Sequence, residues 1–186
     1  TDHYHYVEDG GCTYHSRYSS WSCYRGQESD NWVADLAPTP TEFAPNQLSP
    51  EGATGTLREM RRHGGWQNMH NRERLHSEED FPMSKTFEDG IDFLNRNGRY
   101  DNWFLQIETF DPHEPFTSPT SHFDPDCATQ PDWPPYADVT EGPEEIEAIR
   151  TKYEASVRFC DRQLGRVLDL MDELDLWKDT KIGRDT

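Results

Sequence analysis

The stretch Trp103-Phe-Leu-Gln-Ile-Glu-Thr-Phe-Asp-Pro-His-Glu-Pro-Phe116 constrains this chain more than any other. It opens as a run rich in apolar and aromatic residues and breaks at Asp111-Pro112. A run of that length and composition predicts a buried strand. Pro112 has no N–H to give a central ladder, so the strand ends before it. His113 and Glu114 then sit just past the strand's carboxyl end, where open α/β sheets bind ligands. Pro112 and Pro115 restrict the backbone on both sides of this imidazole and carboxylate. Two readings stand side by side: a turn that happens to hold a histidine, or a functional pair. Loops at strand ends carry function often enough to keep both.

The elements around this stretch predict a layered α/β fold. Residues 82–97 predict a helix: Pro82 suits its first turn, Met83, Phe87, Ile91 and Leu94 recur at helical spacing, and Gly98 suits the C-cap. The strand follows directly, which is the grammar of α/β layers. A second helix is expected over 143–177. Pro143 opens it, Glu144 and Glu145 favour its dipole, and Ile146, Ile149, Tyr153, Val157, Cys160, Leu164, Val167 or Leu168, Met171 and Leu174 keep a 3–4 spacing. One apolar face must cover something, such as a sheet, so these residues read as core and not as a cofactor box. Thr180-Lys-Ile182 would begin the next strand. A shorter amphipathic helix, interrupted at Gly64-Gly65, is expected within 57–76 from Leu57, Met60, His63, Trp66 and Met69. Residues 34–56 and 117–142 are long Pro-rich loops, the second placed as a substrate-facing lid would be.

Composition excludes several classes. The chain has 186 residues with a formal charge of −18, from 36 acids against 18 bases. A nucleic-acid partner needs a basic face, and the only tight basic cluster is Arg58, Arg61 and Arg62, which a solvated helix face explains. No apolar run approaches the roughly 18 residues of a membrane span. No signal peptide is visible, which favours a cytoplasmic location. Among the bases, 14 are Arg and four are Lys, a balance that suits high salt, where self-repulsion is screened. Full stability in low salt would count against that reading. Hydrophobic residues make up only 32%, thin for a self-sufficient domain, yet six Trp, eight Tyr and nine Phe argue against disorder. Cys12, Cys23, Cys127 and Cys160 form no C-x-x-C pair. Cys160 reads as core; Cys12 and Cys23 could pair, with free thiols as the default.

Near the start, Thr1-Asp-His-Tyr-His-Tyr6 places His3 and His5 on one face if the segment is a strand end. A structural histidine pair explains them. A zinc site completed by Asp9 or His15 is a second reading, with loose spacing and no thiolate. Arg25-Gly-Gln-Glu28 could line a pocket, since Arg grips oxyanions bidentately, or form a surface turn with a local ion pair.

Phe110-Asp-Pro-His-Glu-Pro-Phe116 resembles the histidine segment of the sulfatase family, within the alkaline-phosphatase-like superfamily. Thr1–Tyr6, Arg25–Glu28, and Val167-Leu-Asp-Leu-Met-Asp-Glu-Leu174 with Trp177-Lys-Asp-Thr180 resemble one branch of that family in the same order. The resemblance implies the central portion of an α/β/α sandwich with an incomplete sheet. It implies a hydrolase of sulfate esters on a sulfated small molecule or glycan, with His113 at the leaving-group oxygen and His5 near the nucleophile or sulfate. His3 stands where the family has a lysine, and with Glu114 and Arg25 it joins the substrate-binding candidates. The resemblance also implies a formylglycine made from Cys in a Cys-x-Pro-x-Arg-type motif, and a calcium ion held by acidic residues. None of the four cysteines fits that motif, and residues 183–186 do not match the family's Asp-His-Gly-type metal segment. Nucleophile and calcium site are therefore expected outside this chain, which reads as an internal piece, inactive alone and exposing apolar surface. A phosphodiester or phosphonate monoester hydrolase of the same scaffold and a non-catalytic acidic binding module are the alternatives.

Overall fold

A computed structural model describes residues 1–7, 14–38, 56–124 and 142–183. Most of the proposed lid (125–141) and most of the first Pro-rich loop (39–55) lie outside these residues, as do Asp9, Cys12 and Cys127. Three helices carry the architecture: α1 (Thr56–Arg72), α2 (Pro82–Asn97) and α3 (Pro143–Glu173). No helix among the described residues is long and apolar enough to cross a membrane.

Helix α2 matches its expected bounds. Pro82 occupies its first turn, where the missing N–H costs nothing. Just before it, the Asp80 carboxylate accepts the backbone N–H groups of Ser77 (2.9 Å) and His76 (3.0 Å). These bonds, Ser77's foremost, hold the Asp80 carboxyl below its ordinary range. The helix buries Met83, Phe87 and Leu94, and closes with Gly98 N–H on the Leu94 carbonyl at 2.8 Å. Gly98 itself keeps right-handed helical angles; its value is closeness, because the Leu176 side chain packs against it. The left-handed position of this turn falls on Asn102, at φ 65°, a residue type that tolerates it.

Helix α3 corrects two expectations. It ends at Glu173, short of 177, because Asp175 takes left-handed angles (φ 54°) and sends the turn Leu176–Lys178 back onto the core. Its buried face also differs in part: Val167 and Met171 are buried and Cys160 packs on the core as expected, but the rest of the face is not the expected one. Ala155, Ser156, Phe159 and Gln163 are almost fully buried, followed by Val167, Leu170 and Met171. Ile146, Tyr153, Val157 and Leu164 of the expected stripe are instead 45%, 44%, 38% and 48% exposed. The two lines lie roughly a third of a turn apart on the helix. Phe159, Val167 and Leu170 face Met83, Phe87 and Leu94 of α2, so that pairing decides which line is covered. The second line stays at the surface, as expected of a helix with one more layer to cover.

The predicted strand over 103–110 is extended but unpaired: no strand forms among the described residues, and none forms at 180–182. A strand is defined by a neighbour's backbone, and no backbone–backbone hydrogen bond joins 103–110 to another described segment. Its side chains still alternate with period two. Trp103, Leu105 and Ile107 pack on the helical core. On the other side, Phe104 stacks with Tyr18 (6.0 Å between centroids), the Tyr18 hydroxyl bonds Gln106 and the Tyr6 hydroxyl bonds Glu108. Gly90 lets the segment sit close on α2, since a Cβ there would lie 2.4 Å from Ile107 Cδ1.

Candidate active site

The turn after this segment carries His113 and Glu114. Its Asp111–Pro112 and Glu114–Pro115 bonds are cis, and Phe116 N–H closes it on the His113 carbonyl at 2.9 Å. His113 Nδ1 lies 2.9 Å from the Glu114 carbonyl and 3.5 Å from its carboxylate. The two side chains are 36% and 34% exposed, so a ligand can reach both.

The start of the chain folds onto the same place. Asp2 is fully buried, and its carboxylate accepts the Phe110 N–H at 2.6 Å and the Gln27 amide at 3.0 Å. This fixes Tyr4, His5 and Tyr6, which form a 3-10 turn and not a strand end. A tight helical turn still brings His3 and His5 together, at 5.3 Å between ring centroids. Phe110 is the hub of the cluster. His113 lies 4.3 Å from it, His3 4.9 Å and His5 5.8 Å. His3 also stacks on Tyr6 at 4.7 Å. His15 sits at its edge, against Trp21 at 4.2 Å. No group of three His, Cys, Asp or Glu arranged to hold a metal occurs among the described residues.

Arg25 does not join the histidines. Its guanidinium grips the buried Asp30 carboxylate through Nε and a terminal nitrogen, the local ion pair that the turn reading anticipated. Gly26 beside it has φ 120°, and the Trp32 ring lies 2.7 Å from where a Cβ would stand. With Arg25 held outward, Gln27 and Glu28 point in. The Gln27 amide also donates to Asp111, at 2.9 Å, and the Glu28 carboxylate accepts the Tyr4 hydroxyl at 3.0 Å. Asn71 of α1, fully buried, clamps the loop by donating to the Asp30 carbonyl (2.8 Å) and accepting from Val33 N–H (3.2 Å). Asp2, Gln27, Glu28, Asn71 and Asp111 escaped the sequence reading because polar residues read as surface. The motifs enclosing four of them were the available signal.

Burial sets the electrostatics. The Asp2 carboxyl is pushed up to about 6 by burial, against the pull of the Gln27 and Phe110 hydrogen bonds. Asp111 is pushed up to about 8, by burial first and the Asp2 charge second. Two carboxyls bridged by one amide donor in a closed pocket favour the protonated form. Glu28 is raised by burial too, while Tyr4, His113 and His5 favour its charge. The Cys160 thiol is pushed up to about 12, by burial and then by Asp111 and Asp2, and Cys23 is raised by burial. Neither described thiol is thus an activated nucleophile. Cys23 precedes Tyr-Arg and Cys160 precedes Asp-Arg, so neither suits a formylglycine. The buried acids do not fit calcium either, because Asp2 already accepts from Phe110 N–H and the Gln27 amide, and Asp111 from the same amide. What the site offers is two reachable imidazoles for proton transfer, on a floor that fixes their position.

A family model described as Sulfatase matches residues 9–182. No curated protein and no solved structure matches the chain.

Proposed function

The chain belongs to the sulfatase family, and from that premise we propose that it forms the middle of a sulfate-ester hydrolase. The family implies the alkaline-phosphatase-like fold. In that frame the 103–110 segment is a sheet strand whose neighbours lie beyond the described residues. The observation that carries the reading is the convergence of His5 and His113 on Phe110 from far apart in the chain. His113 would protonate the leaving alcohol, since it is reachable and the Glu114 carbonyl orients its ring through Nδ1. His5 would stand toward the sulfate, with His3 behind it. The family match begins after both, so their roles rest on the resemblance of Thr1–Tyr6 and on this clustering. The substrate is a sulfated small molecule or glycan, with Glu114 beside it.

Formylglycine and calcium supply nucleophile and charge neutralisation in this family. No described residue of this chain suits either, so both would come from segments outside it, and the chain alone would be inactive. Within the intact protein, His113→Ala should lower kcat by roughly 10²–10⁴ and leave KM for an aryl sulfate nearly unchanged. A full rate in that variant would remove His113 from the mechanism and favour a non-catalytic role for the cluster.

A further inference from the structure

The 111–116 turn is held at both ends, with His113 and Glu114 between them. At its start, Asp2 accepts the Phe110 N–H and the Gln27 amide donates to Asp111. At its end, Phe116 and Tyr153 of α3 form a T-shaped ring pair, 5.5 Å between centroids and 75° between planes. That geometry is favoured for two aromatic rings. Phe116 also sits at φ 57°, in the left-handed region that bulky side chains avoid. A strained residue keeps such angles only where its surroundings hold it. At this angle its N–H closes the turn on the His113 carbonyl at 2.9 Å. Six residues on, the chain meets α3 again. The His122 ring lies 5.0 Å from Phe159, and the His122 carbonyl accepts from Arg158 at 3.2 Å. Residues 116–122 are thus fastened to α3 at both ends.

We propose that Tyr153 is a positioning residue for His113, acting through the Phe116 ring. With Tyr153 in place, Phe116 holds its left-handed angle, its N–H stays on the His113 carbonyl, and the imidazole stays 4.3 Å from Phe110. Without that ring, Phe116 relaxes toward ordinary angles, the closing bond opens and the imidazole loses its fixed place. Tyr153 is 44% exposed, so its truncation opens no cavity in the helical core. The consequence for rate rests on the assignment of His113 as the acid; the hold on the turn does not.

The test uses the intact protein and two readouts, hydrogen exchange of the Phe116 amide and steady-state hydrolysis of an aryl sulfate. Tyr153→Ala should speed that exchange about fivefold, the worth of one aromatic contact. It should lower kcat roughly ten- to a hundredfold with KM unchanged, since misplacing a reacting group costs rate more than binding. Tyr153→Phe keeps the ring and should restore both values. Phe116→Gly permits the left-handed angle without strain but removes the other ring. It should lower kcat as well, and adding Tyr153→Ala to it should cost nothing more. An unchanged Phe116 exchange rate in Tyr153→Ala would overturn the proposal. So would kcat losses in the two variants that simply multiply, or a Tyr153→Phe as impaired as Tyr153→Ala. Faster exchange at full kcat would overturn it where His113→Ala is slow. Where His113→Ala keeps its full rate, the sulfate-ester reading of His113 fails instead, and the exchange rate alone decides whether Tyr153 holds the turn.

Discussion

Gly90→Ala tests how the 103–110 segment lies on α2. On an exposed helix face this exchange stabilises by about 1 kcal/mol, because alanine loses less backbone freedom. Here the new Cβ would stand 2.4 Å from Ile107 Cδ1 and 2.8 Å from Cγ1. Carbon atoms rest at about 3.5–4.0 Å, so two contacts fall well inside that separation. Overpacking of this kind costs about 1–3 kcal/mol. Net of the helix gain, the variant should lose about 1 kcal/mol, or roughly 2–4 °C in midpoint for a chain of this size. Urea and thermal unfolding followed by helical circular dichroism, at one pH and salt, would read it. Ile107→Ala removes both clashing atoms. The double variant should therefore lose about 2 kcal/mol less than the two single losses added together, the whole of the overpacking cost. A stabilised Gly90→Ala, or strict additivity with Ile107→Ala, would show that the segment does not sit on this helix and would undo the placement of His113.

Gly26→Ala should destabilise by about 2 kcal/mol, because φ 120° is closed to alanine and Trp32 fills the space; proteolysis of the 24–34 loop would report it. Arg25→Gln leaves the buried Asp30 carboxylate without its guanidinium. It should cost about 2 kcal/mol, less than a fully buried pair because Arg25 is partly exposed. An unchanged urea midpoint would return Arg25 to the substrate-binding candidates. Asp2 and Asp111 have folded values of about 6 and about 8 against 3.8, so the folded state holds protons that the unfolded chain has released. Stability should then fall as pH rises from about 4 toward 8, and Asp111→Asn should flatten that fall. Equal pH slopes for both proteins would sink the account.

Local rules were enough for some elements. Helix α2 follows from Pro82, the spacing of Met83, Phe87 and Leu94, and the stop at Gly98. The break at Asp111-Pro112 and the position of His113 and Glu114 beyond it follow from proline having no N–H. Even the alternation of Trp103, Leu105 and Ile107 against Phe104 and Gln106 is readable without a partner strand, since it belongs to the extended backbone itself.

Helix α3 shows where that stops. It carries two lines of core-capable residues, and periodicity cannot rank them. Packing against α2 added Phe159 and Leu170 to the expected Val167 and Met171, and left Tyr153, Val157 and Leu164 at the surface. In the candidate site, sequence pointed to Arg25 because guanidinium suits sulfate. The fold used Arg25 to hold Asp30 and turned Gln27 and Glu28 inward. Whether a charged or amide side chain faces a ligand or a neighbouring carboxylate depends on which long-range partner arrives, and only tertiary structure decides that. The histidine residues and the turn that presents one of them were determined by the sequence. Their meeting on Phe110, over a buried pair of acids, was determined by the approach of segments about a hundred residues apart, because burial first, and for Asp111 the Asp2 charge second, raises those carboxyls above their ordinary range.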